Sequence, residues 1–223
     1  MTEFDLIVWD WDGTLADSTG MITRAVVKAA EQAGLPPLAP EKATSIIGLG
    51  LRESIYTLFG ELPDEQAQAV AKYYNANYYA EEHAIPLFSG AKETIMDLNR
   101  RGTKLAVATG KGRRGLNLAL ERSGLVDYFD ATRTVDECFS KPHPQMLQEL
   151  MDEIMVAPER TLMVGDTGFD LQMAQNAGVH AVGVTFGAHP RERLLSYNPR
   201  KIFHRFDELR HWLLGHDDAS STV

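Results

Sequence analysis

"LIVWDWDGTLADS", Leu6–Ser18, is the stretch on which the reading of this chain turns. Leu6–Trp9 is short, apolar and partly β-branched, the pattern of a buried strand. It runs straight into Asp10 and Asp12, with Gly13-Thr14 behind them. A buried carboxylate is costly unless something pairs with it. Two of them at the end of such a strand therefore require a positively charged partner.

Outward from this stretch the pattern changes twice. Ser18 can cap a helix with Ile22, Val26 and Ala29 on its apolar face, ending near Gly34. A helix is expected around Glu41 to Ile47, a break at Gly48-Leu49-Gly50, a helix from Leu51 to Phe59, and a long one from Asp64. Nothing from residue 17 to 83 reads as a strand. From Ile85 strands and helices alternate. Ser89 caps a helix, "KLAVAT" is a strand, and Arg113 to Gly124 is a helix with a glycine stop. Tyr128 to Thr134 is ambiguous. Pro144 to Ile154 is helical, "TLMVGD" a strand, "FDLQMAQNAG" a helix and "AVGVTF" a strand. Such alternation implies right-handed crossovers and a parallel sheet covered on both faces. The expectation is a doubly wound α/β core, residues 1–16 and 84–223, with an all-helical insertion, residues 17–83, over the carboxyl end of the first strand. Open α/β sheets bind ligands at that end.

The chain has 223 residues, 44% of them hydrophobic and 24% charged, ordinary for a globular protein with a full core. Its formal net charge of −9 argues against nucleic acid and anionic membranes as partners. A local cationic pocket for a small anion remains compatible with it. Cys138 is the one cysteine, so no intrachain disulfide can form. The first residues lack the basic-then-apolar pattern of a secretory signal. No apolar run approaches the roughly 20 residues that cross a bilayer. The expected protein is cytoplasmic, a monomer or homodimer, acting on a small molecule.

Three strands end alike: "LIVW" in Asp10, "LAVA" in Thr109, "LMVG" in Asp166. In a parallel sheet these side chains share one edge. Asp170 follows Asp166 in the loop or first helical turn, and Lys141 of "SKPHP" precedes a helix start, where an anion is favoured. Acids crowded in this way repel. A hard divalent cation relieves the repulsion, and Mg²⁺ suits a few carboxylates together with waters and a phosphate. The cation and Lys141 could then neutralise a phosphoryl group, leaving one carboxylate to attack and another to move protons. A calcium loop of the EF-hand type is disfavoured, because Gly13 falls at its fourth position instead of its sixth. Taken alone, Asp166 reads as a helix cap, Lys141 as a surface lysine and Thr109 as an ordinary strand-end hydroxyl. Only their common placement raises them.

"DWDGTLADS", "ATGK", "SKPHP" and "GDTGFD" resemble, in order, the four motifs of the haloacid dehalogenase superfamily. The resemblance spans nearly the whole chain, the helical insertion matching the family's small cap. It is closest to the phosphoglycolate phosphatase-like branch. It implies a Rossmann-like core, Mg²⁺ as cofactor and hydrolysis of a small phosphomonoester, phosphoglycolate leading. Asp10 would be the nucleophile and Asp12 the general acid and then base. Metal contacts would come from Asp10, Asp166 and the Asp12 carbonyl, with Asp170 behind them. Thr109, Gly110 and Lys141 would hold phosphate, while Gly13 permits the turn and Thr14 supports it. An acid at Asp12 points to phosphoryl transfer, since halide leaves without a proton. No lysine is assigned the Schiff-base role of the phosphonatase branch, although Lys42 and Lys72 exist.

For the substrate itself, Arg52 could bind a second anionic group and Lys111 add charge near the phosphate, with Arg113 and Arg114 facing solvent. One of Tyr73, Tyr74, Tyr78 and Tyr79 could reach the substrate. His143 is assigned to a helix start, His180 to packing, and His204, His211 and His216 to solvent. The alternatives to hydrolysis are a sugar-phosphate mutase resembling β-phosphoglucomutase and a non-enzymatic binding module.

Overall fold

In a computed structural model, which describes residues 3–81 and 85–215, β1 (Leu6–Trp9) is buried along its whole length. The expected boundary at 83/84, His216 and the polar tail lie outside the described residues. β1 lies between β2 (Lys104–Thr109) and β4 (Thr161–Gly165), parallel to both, with Ile7 level with Leu105 and Leu162. Adding β3 (Ala131–Thr134), β5 (His180–Val184) and β6 (Lys201–Phe203) gives a six-stranded parallel sheet in the order β3-β2-β1-β4-β5-β6.

Because side chains alternate along a strand, β1 feeds two cores. Ile7 and Trp9 pack on α5 (Ala91–Arg100), α6 (Arg113–Ser123) and α10 (Phe206–Leu213). Leu6 and Val8 pack on α7 (Gln145–Ile154) and α8 (Gly168–Ala177). Burial on both faces explains why β1 reads as a continuous apolar run. The strand order reverses beside β1, and the crevice for a ligand opens where it does.

Between β1 and β2 the chain builds α1 (Thr19–Gln32), α2 (Pro40–Thr44), α3 (Leu51–Phe59) and α4 (Asp64–Glu81) before reaching α5. Ile22, Ala25, Val26 and Ala29 recur at helical spacing on α1 and form its buried face. That face packs chiefly on α4 and α2. The helical layer is thinly buried: only Val70 and Tyr78 of α4 are fully covered.

Three local expectations differ from the structure. Ser18 precedes α1 but makes no side-chain cap; its hydroxyl is used elsewhere. Gly90, not Ser89, precedes α5. The ambiguous stretch resolves into a single 3-10 turn, Val126–Tyr128, and β3. The stretch from Pro190, unassigned from sequence, packs on the core. After α9 (Arg191–Leu195), β6 extends the sheet, and Phe206, Leu209 and Leu213 of α10 are buried.

Candidate active site

The sheet register sets the site. Trp9 is level with Val107 and Val164, so Asp10, Thr109 and Asp166 emerge at one edge. All three are buried. Lys141 enters from the loop between β3 and α7. Asp170 enters from the first turn of α8, where a reciprocal capping box with Thr167 fixes it.

Lys141 joins the acids. Its ammonium lies 2.7 Å from Asp10 Oδ1 and 2.6 Å from Asp170 Oδ1. The second Asp170 oxygen accepts from the Thr167 hydroxyl at 2.6 Å and its N–H at 3.0 Å. Asp166 accepts from Thr14 Oγ1 at 3.2 Å and from the Ala188 N–H at 2.6 Å. Burial, followed by repulsion from Asp170 and Asp12, outweighs the attraction of Lys141 and pushes the Asp10 carboxyl up to about 7. Burial and the charges of Asp10 and Asp170 likewise hold Asp166 well above the carboxylate range. For Lys141 burial works against the charged form, but the two acids overcome it and raise the ammonium above its usual value.

This arrangement suits a cation. Asp10, Asp166 and Asp170 each offer an oxygen, all within 4.8 Å of one another. Asp10 Oδ2 is fully buried and has no hydrogen-bond partner. A buried carboxylate oxygen without a donor is what a hard divalent ion would satisfy. Gly13 sits at φ 80°, and any Cβ there would overlap the Asp166 carboxylate, so the turn and the acid cluster need glycine together. Asp170, expected behind the metal ligands, stands among the three clustered acids. The Asp12 side chain stands apart from them: it accepts from Ser18 Oγ at 2.8 Å and from Lys111 Nζ at 3.1 and 3.2 Å.

Above the acids lies a cavity of about 310 Å³ that reaches Asp10, Asp12, Thr109, Gly110 and Lys111. The Lys111 ammonium is buried, donates to Tyr78 Oη and lies 4.6 Å from the Tyr78 ring centre. The helical layer closes the roof. A Cβ at Gly110 would come within 2.6 Å of Gly48 O, so the "ATGK" loop and the Gly48-Leu49 turn touch backbone to backbone. Gly50 N–H donates to Ser140 Oγ at 2.9 Å.

Not every expected residue arrives. Arg52 is exposed and does not line the cavity. Leu51 and Ser54, three apart on α3, face inward, which turns position 52 to solvent. Arg113 is not a solvent arginine: it pairs with Glu137 at 2.6 Å and donates to Thr132 Oγ1 at 2.7 Å. Arg114 lines the cavity and lies 5.1 Å from the Tyr79 ring centre. Three tyrosines, Tyr74, Tyr78 and Tyr79, line it instead of one. Lys42 and Lys72 are exposed and do not line it. His143 accepts from the Gln145 N–H at 3.2 Å as the helix start requires. His180 is exposed, with its ring 5.5 Å from that of Phe4, and His204 and His211 are exposed.

Sequence reasoning missed two contributors. Ser18 hides behind its apparent capping role. His189, in "GAHP" after β5, is buried. Its Nδ1 accepts from Gly168 N–H at 2.9 Å, so Nε2 carries the proton and donates to Ser45 O at 3.1 Å, tying the core to the roof. Burial holds this imidazole below its usual pKa. The available signal was a Gly-Ala-His-Pro turn at a fourth strand end.

Comparison with known proteins bears on family and fold. Residues 7–184 match the family model for haloacid dehalogenase-like hydrolases. The chain is 33% identical over 211 residues to the Dickeya dadantii protein named "Probable phosphatase IndB", covering 92% of this chain and 91% of that one. It is 31% identical to a phosphoglycolate phosphatase of Vibrio vulnificus, over 88% of this chain and 90% of the relative. The crystal structure of a hydrolase from Pseudomonas syringae shares the fold at a TM-score of 0.85 and 24% identity, over 97% and 99% of the two chains.

Proposed function

The chain belongs to the haloacid dehalogenase-like hydrolase family, and we propose that it is a Mg²⁺-dependent phosphatase that hydrolyses a small phosphomonoester through an aspartyl-phosphate on Asp10. The observation that carries this reading is the state of Asp10 at the cavity floor: one oxygen on Lys141, the other buried and unpartnered.

In the first step an Asp10 oxygen attacks phosphorus and the bond to the alcohol oxygen breaks. Asp12 gives that oxygen its proton. In the second step water passes a proton to Asp12 and attacks phosphorus, the Asp10–phosphorus bond breaks, and inorganic phosphate leaves. Lys141 and the Thr109 hydroxyl hold the phosphoryl oxygens. Mg²⁺ held by Asp10, Asp166, Asp170 and the Asp12 carbonyl would supply positive charge against those oxygens. Lys111, resting on Asp12, gains a second anionic partner when the phosphoryl group enters. The helical roof excludes bulk water during the transfer.

Phosphate release from a panel of phosphomonoesters tests the reading, run with Mg²⁺, with chelator and with Asp10→Asn. Release that needs the ion and vanishes in the variant supports it. Release that survives Asp10→Asn removes Asp10 as nucleophile. Return of the phosphoryl group to a sugar phosphate without release would make the chain a mutase.

A further inference from the structure

The cavity has a charged floor and an uncharged roof. Ile22 and Val26 of α1, Ile46, Ile47 and Leu49 of the α2–α3 turn, and Leu51 of α3 line it from above. Tyr74 and Tyr78, with ring centres 5.7 Å apart, form a wall. Ser54 and Asn75 are polar but neutral. No charged side chain of α1–α4 lines the cavity among the described residues. The cations of that layer, Arg24, Lys28, Lys42, Arg52 and Lys72, are all exposed.

The two buried cations of the floor already face acids. Lys141 is taken by Asp10 and Asp170, and Lys111 by Asp12 and Tyr78. Arg114 also lines the cavity, but it is exposed, where solvent screens its charge, and lies against Tyr79. Asp136 also lines the cavity. A carboxylate on the leaving group would therefore meet aliphatic carbon above, and below would compete with the phosphoryl group and the resident carboxylates for cations already shared, a poor return for the hydration it gives up. An alkyl or aryl group gains from the same surfaces, about fourfold in affinity for each methylene buried. The volume of about 310 Å³ equals roughly ten waters at ~30 Å³ each, enough for a phosphoryl group and a compact alcohol.

We propose that this site takes phosphomonoesters whose alcohol part is uncharged and mainly apolar, with Ile22, Val26, Ile47, Leu51, Tyr74 and Tyr78 as the residues that select it. The proposal rests on the phosphatase reading and narrows it away from phosphoglycolate.

The test is a matched pair. Isobutyl phosphate and 2-phosphoglycolate differ in an isopropyl group against a carboxylate of nearly the same shape. Wild-type kcat/KM should favour isobutyl phosphate by about tenfold or more. Leu51→Arg puts a cation into the roof from a half-buried position and should move the ratio about tenfold toward phosphoglycolate; Leu49→Arg is the second variant if the first does not fold. Equal or better turnover of phosphoglycolate by the wild type overturns the proposal. Calorimetric titration of both esters into the Asp10→Asn protein with Mg²⁺ reads the preference without turnover. Tighter isobutyl phosphate with no phosphate release by the wild type would overturn the phosphatase reading and leave the cavity assignment standing. Equal affinities would overturn the cavity assignment.

Discussion

The floor and roof of the cavity obey different physics. On the floor, Asp10, Lys141, Asp166 and Asp170 are essentially buried, and each is held by named partners from separate strands and loops. Its geometry is over-determined and its charges are costly. The roof is held by apolar contact within a thin helical layer and by a few bonds to the core, Gly50 to Ser140 and His189 to Ser45 among them. On the proposed reading, the difference teaches that chemistry sits where burial and pairing are densest, and selection where a side chain can be changed at little cost. An acid deleted below damages the reaction, and loss of the Lys141 counter-charge damages the fold as well; a side chain exchanged above alters which molecule fits.

The sharpest way to break this contrast is Asp10→Asn. Phosphate release should fall by at least about 10³-fold while the protein stays folded. A rate assay beside a thermal melt checks both halves. Next is Lys141→Ala, which strips the counter-charge from three buried acids. It should cost roughly 3–5 kcal/mol in urea unfolding, and divalent cation should restore part of that. A cost no larger than that of an exposed lysine would deny the floor its over-determination.

The third test is pH. Asp10, raised to about 7, and Asp166, also raised, bind protons more tightly folded than unfolded. Their contribution to stability is therefore fullest below about pH 4, the unfolded value; that of Asp10 is lost as pH rises through 7, and that of Asp166 as pH rises through its own raised value. In metal-free protein, unfolding curves from pH 4 to 8 should show this loss, and Asp10→Asn should lessen it. Added Mg²⁺ should flatten the slope. On the roof, Ser140→Ala leaves the Gly50 N–H without its partner and should cost about 1 kcal/mol. Amide exchange should quicken at Gly50 and not in β1. The smallest effect concerns Cys138, whose thiol burial, with Glu149 beside it, pushes up to about 11. It should resist alkylation at pH 8 until the protein unfolds, with activity unchanged.

Much of this was legible in the residues. β1 was readable because burial on both faces leaves an unbroken apolar run, and Asp10, Thr109 and Asp166 because strand ends repeat a position. β6 was not, since three residues at a sheet edge carry too little pattern. Ser18 was misread because a serine before a helix usually caps it; here its backbone, at φ −108° and ψ −12°, lacks the extended conformation a cap adopts, and its hydroxyl donates to Asp12. Arg52 was placed by proximity in sequence to the Gly48–Gly50 turn, whereas the rotation of α3 turns it outward.

By itself, then, the sequence determined the parallel core, the helical insertion and the acids and lysine of the floor. Those follow from local pattern: period, strand ends, and charges that need a counter-charge. Only the tertiary structure decided which acids share a point in space, that Lys111 rests on Asp12, that His189 spans the two layers, and that the roof lining carries no charge among the described residues. These depend on how helices rotate and pack against one another over more than a hundred residues of chain, and no local pattern encodes that rotation.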